Sequence, residues 1–416
     1  SHIVGATGSG KTVLIEHLLF KDLARGYGAF VIDPKGDREF FDRVAAYCES
    51  IGRADDLILL SATHPSESAR WNPCGLGNAS ELQTKFYNSA IYNEPHYAKA
   101  CEAALLSAFN ELIKSSPQGF TIPSLVAALE QKARATKDKN IEGLFLDLFN
   151  LAQGEWREVL CCAPGNDPRP LLSFLDITSQ NKILFVDLPT ESKAVQSSRV
   201  GRLLTQEIML ISGLRKTNPE IRSDRPFSVF IDEFDAFASP SISTFINKGR
   251  SSGFMIHLAH QTLSDLDKVS PEFTGQILGN CNVRYVFRQD HPDDAETWSR
   301  VFGTRQTVKL TKQVAEGVHT GAGSLRETQE FKMSPDTIKE LGVGRCVFSM
   351  KNTGTLKRLK IAAPLNLGSK RTQVQMTPVV QREPGVQNEP RFSFEELSST
   401  PPPQAADAYE FIKGRS

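Results

Sequence analysis

The sequence lacks the features that mark several classes of protein. None of its seven cysteines forms a CxxC pair or has the Cys/His spacing of a zinc site, which indicates reduced thiols in a cytoplasmic space. No segment approaches the roughly 18 consecutive apolar residues of a transmembrane helix, and no signal peptide is present. The 48 basic and 48 acidic residues cancel. Overall charge therefore gives no argument for nucleic acid or membrane binding, and any site for a polyanion must be a local patch.

An initiator methionine is also absent. Only Ser1–Val4 precede the first glycine of the motif described next, and they read as the end of a strand. We therefore expect the sequence to be a fragment of a longer protein, whose upstream region has room for a membrane anchor.

What the sequence does contain begins with a phosphate-binding motif. It fits the pattern GxxxxGK[ST] and consists of Gly5, Ala6, Thr7, Gly8, Ser9, Gly10, Lys11 and Thr12. Its glycines allow successive backbone amides to turn inward around a triphosphate, Lys11 reaches the β- and γ-phosphates, and Thr12 offers a hydroxyl to Mg²⁺. The segment that follows is an amphipathic helix whose N-terminus faces the phosphates. The motif predicts a site for ATP and Mg²⁺.

A second acidic element completes the chemistry of ATP hydrolysis. In FSVFIDEF, an apolar strand ends in Asp232 and Glu233. An Asp that holds the metal, followed by a Glu that orients and polarises the attacking water, is the pair that an ATPase requires. We therefore predict Asp232 as a metal ligand and Glu233 as the catalytic base.

The remaining pattern predicts an α/β fold. Apolar strands alternate with helices, as in a parallel sheet that is covered on both faces. Residues 76–175 show helical periodicity with no strand pattern, so we predict an all-helical domain inserted between two parts of the sheet domain, 1–75 and 176–365. Residues 366–416 are rich in Gln, Pro, Ser and Glu, which predicts a disordered tail.

Together these segments resemble the type IV secretion coupling proteins, the TraG/TraD-like conjugation ATPases related to the FtsK and HerA motors. The resemblance covers residues 1 to about 365 and rests on the order of several short segments. These are GATGSGKT, IDPKGD, WNP with its helical insertion, FIDEF, NKGRSSG, LAHQ and ILGNCNVRYVFR. It implies a RecA-like P-loop NTPase that forms a homohexameric ring on the cytoplasmic face of the bacterial inner membrane, held there by an N-terminal anchor.

The resemblance also implies partners and further site residues. The motor would move single-stranded DNA, bound to its relaxase, toward the components of a type IV secretion channel during conjugation. Gln261 matches the polar residue that senses the γ-phosphate. Arg250 matches an arginine finger, which would act on the site of a neighbouring subunit. Asp33 and Lys35 are expected to shape the turn after the second strand.

Two other functions remain open at this point. One is a double-stranded DNA pump of the FtsK or HerA kind, against which the helical insertion after WNP argues. The other is a nucleotide-binding receptor for secreted proteins that does not move DNA, against which Glu233 and Gln261 argue because they are suited to turnover.

Overall fold

Eleven strands are found in the part of the protein that the structure describes. The computed structural model describes residues 1–92, 94–162, 167–191, 194–218, 221, 225–315 and 318–367, and the side chains of 310–324 are not described. The strands are β1 (His2–Val4), β2 (Gly28–Asp33), β3 (Leu57–Ser61), β4 (Ile183–Asp187), β5 (Phe227–Ile231), β6 (Phe254–His260), β7 (Val283–Val286), β8 (Thr304–Ala315), β9 (Val318–Phe331), β10 (Arg345–Met350) and β11 (Thr355–Lys360). The predicted disordered tail, 366–416, lies outside the described residues except for its first two positions.

The helices alternate with these strands. They are α1 (Lys11–Ala24), α2 (Arg38–Ser50), α3 (Ala79–Ser89), α4 (Pro95–Ser115), α5 (Ile122–Thr136), α6 (Lys139–Gln153), α7 (Phe174–Ser179), α8 (Ala194–Thr217), α9 (Ser241–Lys248), α10 (Leu263–Asp267), α11 (Pro271–Asn280), α12 (Pro292–Phe302) and α13 (Pro335–Lys339). Several begin at local signals in the sequence. In α3, for example, Asn78 caps the helix and Glu81 bonds back to the cap in a capping box. Among the described residues, no helix combines the length and the apolar character needed to cross a membrane.

Nine strands form one sheet in the order β11-β10-β7-β1-β6-β5-β2-β4-β3. The seven strands from β7 to β3 are parallel, and β10 and β11 continue the sheet antiparallel. The mainly parallel α/β sheet predicted from the sequence is confirmed. Because the parallel strands share one direction, the loops that follow β1, β2, β5 and β6 all lie at the same edge.

Both faces of the sheet are buried, which explains why its strands are apolar at successive positions. On β2, Ala29 and Val31 face a core made with α1 and α2. Phe30 and Ile32 face the other core, which includes residues of α8. A slip of one residue would exchange the large and small side chains between the two faces, so the register is strongly specified.

Between β3 and β4 the described residues form helices α3–α7. The buried hydrophobic residues of α3–α6 belong to the same cluster as Phe30 of the sheet. Trp71 of the WNP segment is buried against Phe174 at this junction, and the Asn72 side-chain amide donates to the carbonyl of Phe120 at 2.8 Å. WNP therefore joins the helices to the sheet. The predicted domain bounds at 75/76 and 175/176 stay a prediction.

Two hairpins lie in the last third of the described residues. β10 and β11 pair antiparallel around a turn at 351–354. The longer hairpin, β8–β9, forms a separate two-stranded sheet, and the sequence analysis does not predict it.

Candidate active site

The phosphate-binding motif lies between β1 and α1, at the carboxyl edge of the parallel strands. Gly8 and Gly10 adopt φ angles of 71° and 109°, a left-handed conformation that other residues rarely adopt. The Lys11 ammonium folds back over the loop and donates to the carbonyls of Gly5 at 2.7 Å and Ala6 at 3.3 Å. Burial lowers the pKa of Lys11, and the charge of Asp232 opposes that effect. The loop has the geometry of an anion cradle with a cation at its mouth.

Asp232 and Glu233 follow β5 at the same edge. The Thr12 hydroxyl donates to Asp232 Oδ2 at 3.2 Å, so the hydroxyl and carboxylate predicted to share a metal lie side by side. Glu233 has φ 39° and ψ 46°, a left-handed conformation that costs a non-glycine residue roughly 1–2 kcal/mol. Backbone strain of this kind is concentrated at functional sites. The strained conformation supports a functional role for Glu233, because the surrounding structure must hold the residue in it and so fixes where its carboxylate lies.

Gln261 links the two halves of the site. It follows β6, which lies between β1 and β5 in the sheet. Its side-chain oxygen accepts from the Thr7 hydroxyl at 3.0 Å, and its amide nitrogen donates to Glu233 at 3.3 Å. A displacement of the phosphate-binding loop would therefore be transmitted through Gln261 to the carboxylate of Glu233. This connection is what a sensor of the bound nucleotide requires.

The sequence analysis gives Lys35 only a role in the turn after β2, whereas the structure places its ammonium in the site. Its ammonium donates to Asp232 Oδ2 at 3.0 Å and to the Thr12 hydroxyl at 3.2 Å, and it lies 3.5 Å from Glu233 Oε1. Burial acts to lower the pKa of Lys35, but Asp232 and Glu233 outweigh it and raise the pKa. The signal was the position of Lys35 just after an apolar strand, which places it at the carboxyl edge.

Asp33 has the turn-shaping role expected from the sequence. Its carboxylate accepts from the backbone N–H groups of Lys35 at 3.2 Å and Asp37 at 2.9 Å. Burial raises the pKa of Asp33 to about 7, although the hydrogen bond from Asp37 acts in the opposite direction. The turn that Asp33 holds is the one that directs Lys35 toward Asp232.

Arg250 is not brought to this site within one subunit. It lies in a single helical turn before β6 and is exposed, and its side chain has no hydrogen-bond or ion-pair partner among the described residues. Because β5 and β6 are parallel, the start of β6 lies at the sheet edge opposite Asp232. Any action of Arg250 on a phosphate must therefore be on another subunit.

The assembled groups match the needs of a magnesium nucleotide. No group of three or more His, Cys, Asp or Glu side chains suited to a metal occurs among the described residues. Magnesium at phosphate sites is commonly held by only one or two protein oxygens, with phosphate and water completing the set. Thr12 and Asp232 supply such oxygens, and Lys35 shows that a cation is accommodated beside them.

Comparisons with known proteins relate this sequence to type IV coupling proteins. Residues 226–342, which contain Asp232, Glu233 and Gln261, match the family model described as the TraM recognition site of TraD and TraG. The type 4 coupling protein DotL of Legionella pneumophila is 23% identical over 391 residues, which is 74% of this protein and 49% of DotL. The resemblance to type IV coupling proteins is confirmed. The chain spans about half the length of this curated relative.

Solved structures show that the coupling-protein fold extends over most of the sequence. A solved chain of the bacterial conjugative coupling protein TrwB, TrwBdeltaN70, aligns with a TM-score of 0.67 at 17% identity, covering 87% of this protein and 84% of that chain. VirB4 of Thermoanaerobacter pseudethanolicus aligns with a TM-score of 0.58 at 14% identity, covering 87% of this protein and 88% of VirB4. The RecA-like P-loop NTPase fold expected from the sequence is therefore confirmed. TrwB itself has been solved with the ATP analogue ADPNP and with ADP and Mg²⁺.

Proposed function

We propose that this protein is the ATP-hydrolysing motor of a type IV coupling protein, which moves single-stranded DNA and its bound relaxase toward a secretion channel. One observation carries the proposal. Side chains from three separate segments of the sequence meet at one edge of a sheet with the coupling-protein fold, and these residues are Lys11, Thr12, Asp232, Glu233 and Gln261. They are the groups that phosphoryl transfer to water requires.

Each of these residues has a distinct task in the proposed reaction. The amides of the loop and Lys11 hold the β- and γ-phosphates, so Lys11 exchanges the carbonyls of Gly5 and Ala6 for phosphate oxygens. Thr12 and Asp232 hold Mg²⁺, which neutralises phosphate charge when it is bound. Glu233 orients the attacking water and accepts its proton. Gln261 connects the loop to Glu233 and links the state of the nucleotide to movement.

The assembly and partners are part of the same proposal. We infer a homohexamer at the cytoplasmic face of the bacterial inner membrane, anchored by a region outside this sequence, with a relaxase and channel components as partners. The match of residues 226–342 to a TraM recognition site supports a further contact with a TraM-like protein.

Steady-state ATPase and nucleotide-binding assays on two variants test the hydrolysis. Lys11→Ala is expected to abolish turnover. Glu233→Gln is expected to bind ATP at the parental affinity and retain it unhydrolysed, because Glu233 acts on the water and not on the bound phosphates. Glu272→Gln, an exposed change on α11, is the control and should behave as the parent. Parental turnover by Glu233→Gln would show that another group is the base.

The choice of DNA separates the rival functions. We expect slow hydrolysis by the protein alone and stimulation by single-stranded DNA, with the stimulation falling as salt rises because counterions compete for the phosphates. Preferential stimulation by double-stranded DNA would instead support a pump of the FtsK or HerA kind. Hydrolysis that responds to neither DNA would favour the receptor function and contradict DNA translocation.

Arg250 is proposed to act on the nucleotide of the neighbouring subunit. Its guanidinium is permanently charged and suits the charge that develops on transferring phosphate. Arg250→Ala should bind ATP normally and hydrolyse it at least tenfold more slowly, since such fingers contribute about 10³-fold or more elsewhere. Mixing it with Lys11→Ala subunits should restore part of the activity, because each variant supplies what the other lacks. A loss below about threefold, or no recovery on mixing, would make Arg250 an ordinary surface residue.

A further inference from the structure

The two edges of the nine-stranded sheet differ. At one edge the outer side of β3 is covered, because the backbone N–H of Ala69 donates to the carbonyl of Leu59 at 2.8 Å and the N–H of Ser61 donates to the Ser68 hydroxyl at 2.9 Å. At the other edge, β11 pairs with β10 alone among the described residues. An uncovered edge strand offers a row of backbone donors and acceptors to another extended chain.

Three residues of β11 direct their backbone N–H and C=O groups away from β10. The N–H of Ile361 donates to the carbonyl of Gly344 at 2.7 Å, and the bonded pairs alternate along an antiparallel ladder. Positions 355, 357 and 359 therefore bond to β10 as well, and Leu356, Arg358 and Lys360 face outward. Within the part of the chain that the structure describes, the backbone groups of these three residues bond to no other segment.

The side chains of the same three residues lie on the face of the sheet that α13 covers. Leu356 packs against the hydrophobic cluster that contains Ile338 of α13. The Arg358 Nη2 donates to Thr337 Oγ1 at 3.3 Å. Beside α13 this face borders an open cavity of about 380 Å³, which Arg358 and Lys360 line. A cavity of this volume has room for the side chains of a bound segment.

The charge around this cavity is mainly positive. Arg345 lies directly opposite Lys360 in the ladder, and like charges at such positions repel each other. Arg345, Arg358 and Lys360 are all exposed and line the cavity, and Glu340 is the one carboxylate that does so. Among the residues that the structure describes, none of the three cations forms an ion pair. An anionic partner would relieve their repulsion.

The charges and the backbone together decide which kind of chain this edge suits. A second copy of β11 would bring the same cations alongside, which disfavours pairing between two copies of this protein. The sugar–phosphate backbone of DNA would meet the cations, but it has no donors for the carbonyls of β11. An extended acidic peptide satisfies both the outward backbone groups and the cations.

We propose that β11 binds an extended acidic segment of a partner protein, which adds to the sheet as a further strand. Main-chain hydrogen bonds to Leu356, Arg358 and Lys360 give the pairing, and alternate carboxylates of the segment lie against Arg345, Arg358 and Lys360. β11 has six residues, so it accommodates a segment of about that length. The surface goes beyond the proposed motor function and does not depend on it, since neither nucleotide nor hydrolysis takes part.

Fluorescence polarisation with short peptides, measured without nucleotide, tests the charge and its alternation. The labelled peptide TEVEVET places every glutamate on one face, and we expect a Kd of about 10–100 µM. The neutral peptide TQVQVQT should bind at least tenfold more weakly. TVEEEVT has the composition of TEVEVET without the alternation and should bind at least threefold more weakly. Equal binding of TEVEVET and either of the other two would overturn the proposal.

Methylation of peptide nitrogens tests the backbone pairing. One version of TEVEVET is methylated at its glutamate nitrogens and another at its valine nitrogens. Exactly one version should lose at least tenfold in affinity, because successive N–H groups of a strand point to opposite sides. A loss on glutamate methylation indicates antiparallel addition and a loss on valine methylation indicates parallel addition, and both support the proposal. Equal affinities of the two versions would overturn it.

Variants of exposed residues assign the binding to this edge. Arg345→Gln and Lys360→Gln should each weaken TEVEVET at least threefold. Glu340→Gln should tighten it about twofold, because it removes the one carboxylate that lines the cavity. Lys99→Gln makes the same change of charge at an exposed position of α4 and should bind as the parent. Parental binding by both Arg345→Gln and Lys360→Gln, or an equal loss in Lys99→Gln, would overturn the proposal.

Competition separates a peptide from a nucleic acid. Unlabelled TEVEVET should displace the labelled peptide at a lower concentration than the single-stranded oligonucleotide heptathymidylate does. The reverse order would assign the edge to nucleic acid and overturn the assignment to an acidic peptide.

Discussion

Replacing Lys35 with Met removes the cation that occupies the oxygen-rich side of the ATP site. In the structure its ammonium contacts Thr12, Asp232 and Glu233. Met keeps most of the volume of the lysine stem, so the change acts mainly on charge and hydrogen bonding. We expect Lys35→Met to destabilise the nucleotide-free protein and to do so much less when Mg²⁺ and ADP are bound.

The magnitude follows from the burial of the two partners. Asp232 is 2% exposed, whereas the Lys35 side chain is 31% exposed. Breaking a fully buried ion pair costs about 3–5 kcal/mol, and a fully exposed pair contributes about 0–1 kcal/mol. This pair lies between those limits, so we expect a loss of about 2 kcal/mol in the free energy of unfolding. Bound Mg²⁺ supplies positive charge to the same oxygens and should reduce the loss to below about 1 kcal/mol.

Urea unfolding of the parent and the variant, with and without Mg²⁺ and ADP, measures both values. Lys268→Met is the matched control, because Lys268 also forms an ion pair, with Asp265 at 2.9 Å, but is 76% exposed. It should lose no more than about 0.5 kcal/mol under either condition. An equal loss for the two variants, or a loss for Lys35→Met that Mg²⁺ and ADP leave unchanged, would refute the reasoning.

Three further outcomes are expected. Lys85→Met should lower the free energy of unfolding by about 3–5 kcal/mol in urea titrations, because it leaves Glu207, 3% exposed, as an unpaired buried charge; a loss under about 1 kcal/mol would contradict this. His260, which contacts His2 at 2.5 Å between ring nitrogens, has its pKa lowered by burial from 6.5 to about 4. Since the folded pKa is depressed, its stability contribution is complete above about pH 6.5 and is lost as pH falls toward 4, by up to about 3 kcal/mol. His260→Asn should therefore flatten the pH dependence of the unfolding free energy across that window, and an unchanged slope would refute it. Gln261→Ala should reduce the ATPase rate at least tenfold while leaving the Kd of ATP within about threefold, and a loss confined to affinity would rule out the linking role.

Much of the site could be predicted because the residues that carry its chemistry lie in short contiguous segments of the sequence. The loop before Lys11 requires glycines in left-handed conformations, and the pair Asp232 and Glu233 ends a strand that is buried throughout. In both segments the local pattern and the buried environment agree. Such local signals do not depend on which strands become neighbours, so they can be interpreted without the tertiary structure.

The β8–β9 hairpin could not be predicted from the sequence because its strands bury few side chains. The described side chains of this hairpin, which do not include those of 310–324, are mostly exposed. Val308 is 58% exposed and Leu325 is 75% exposed. A strand is predicted from sequence mainly through the alternation that burial of one face imposes. A ribbon with little buried surface imposes no such alternation, so its pairing is visible only in three dimensions.

By itself, the sequence determined the phosphate cradle, the acidic pair, the alternation of helices and strands, and the resemblance to coupling proteins. The tertiary structure alone decided where Lys35 and Arg250 lie relative to Asp232. Lys35 is 197 residues from Asp232 along the sequence, and it reaches Asp232 because β2 and β5 are neighbours in parallel register. Arg250 is far closer to Asp232 in sequence, yet the same parallel direction places it at the opposite edge of the sheet. Distance along the sequence does not fix distance in space, because it is strand order and direction that bring residues to a common edge.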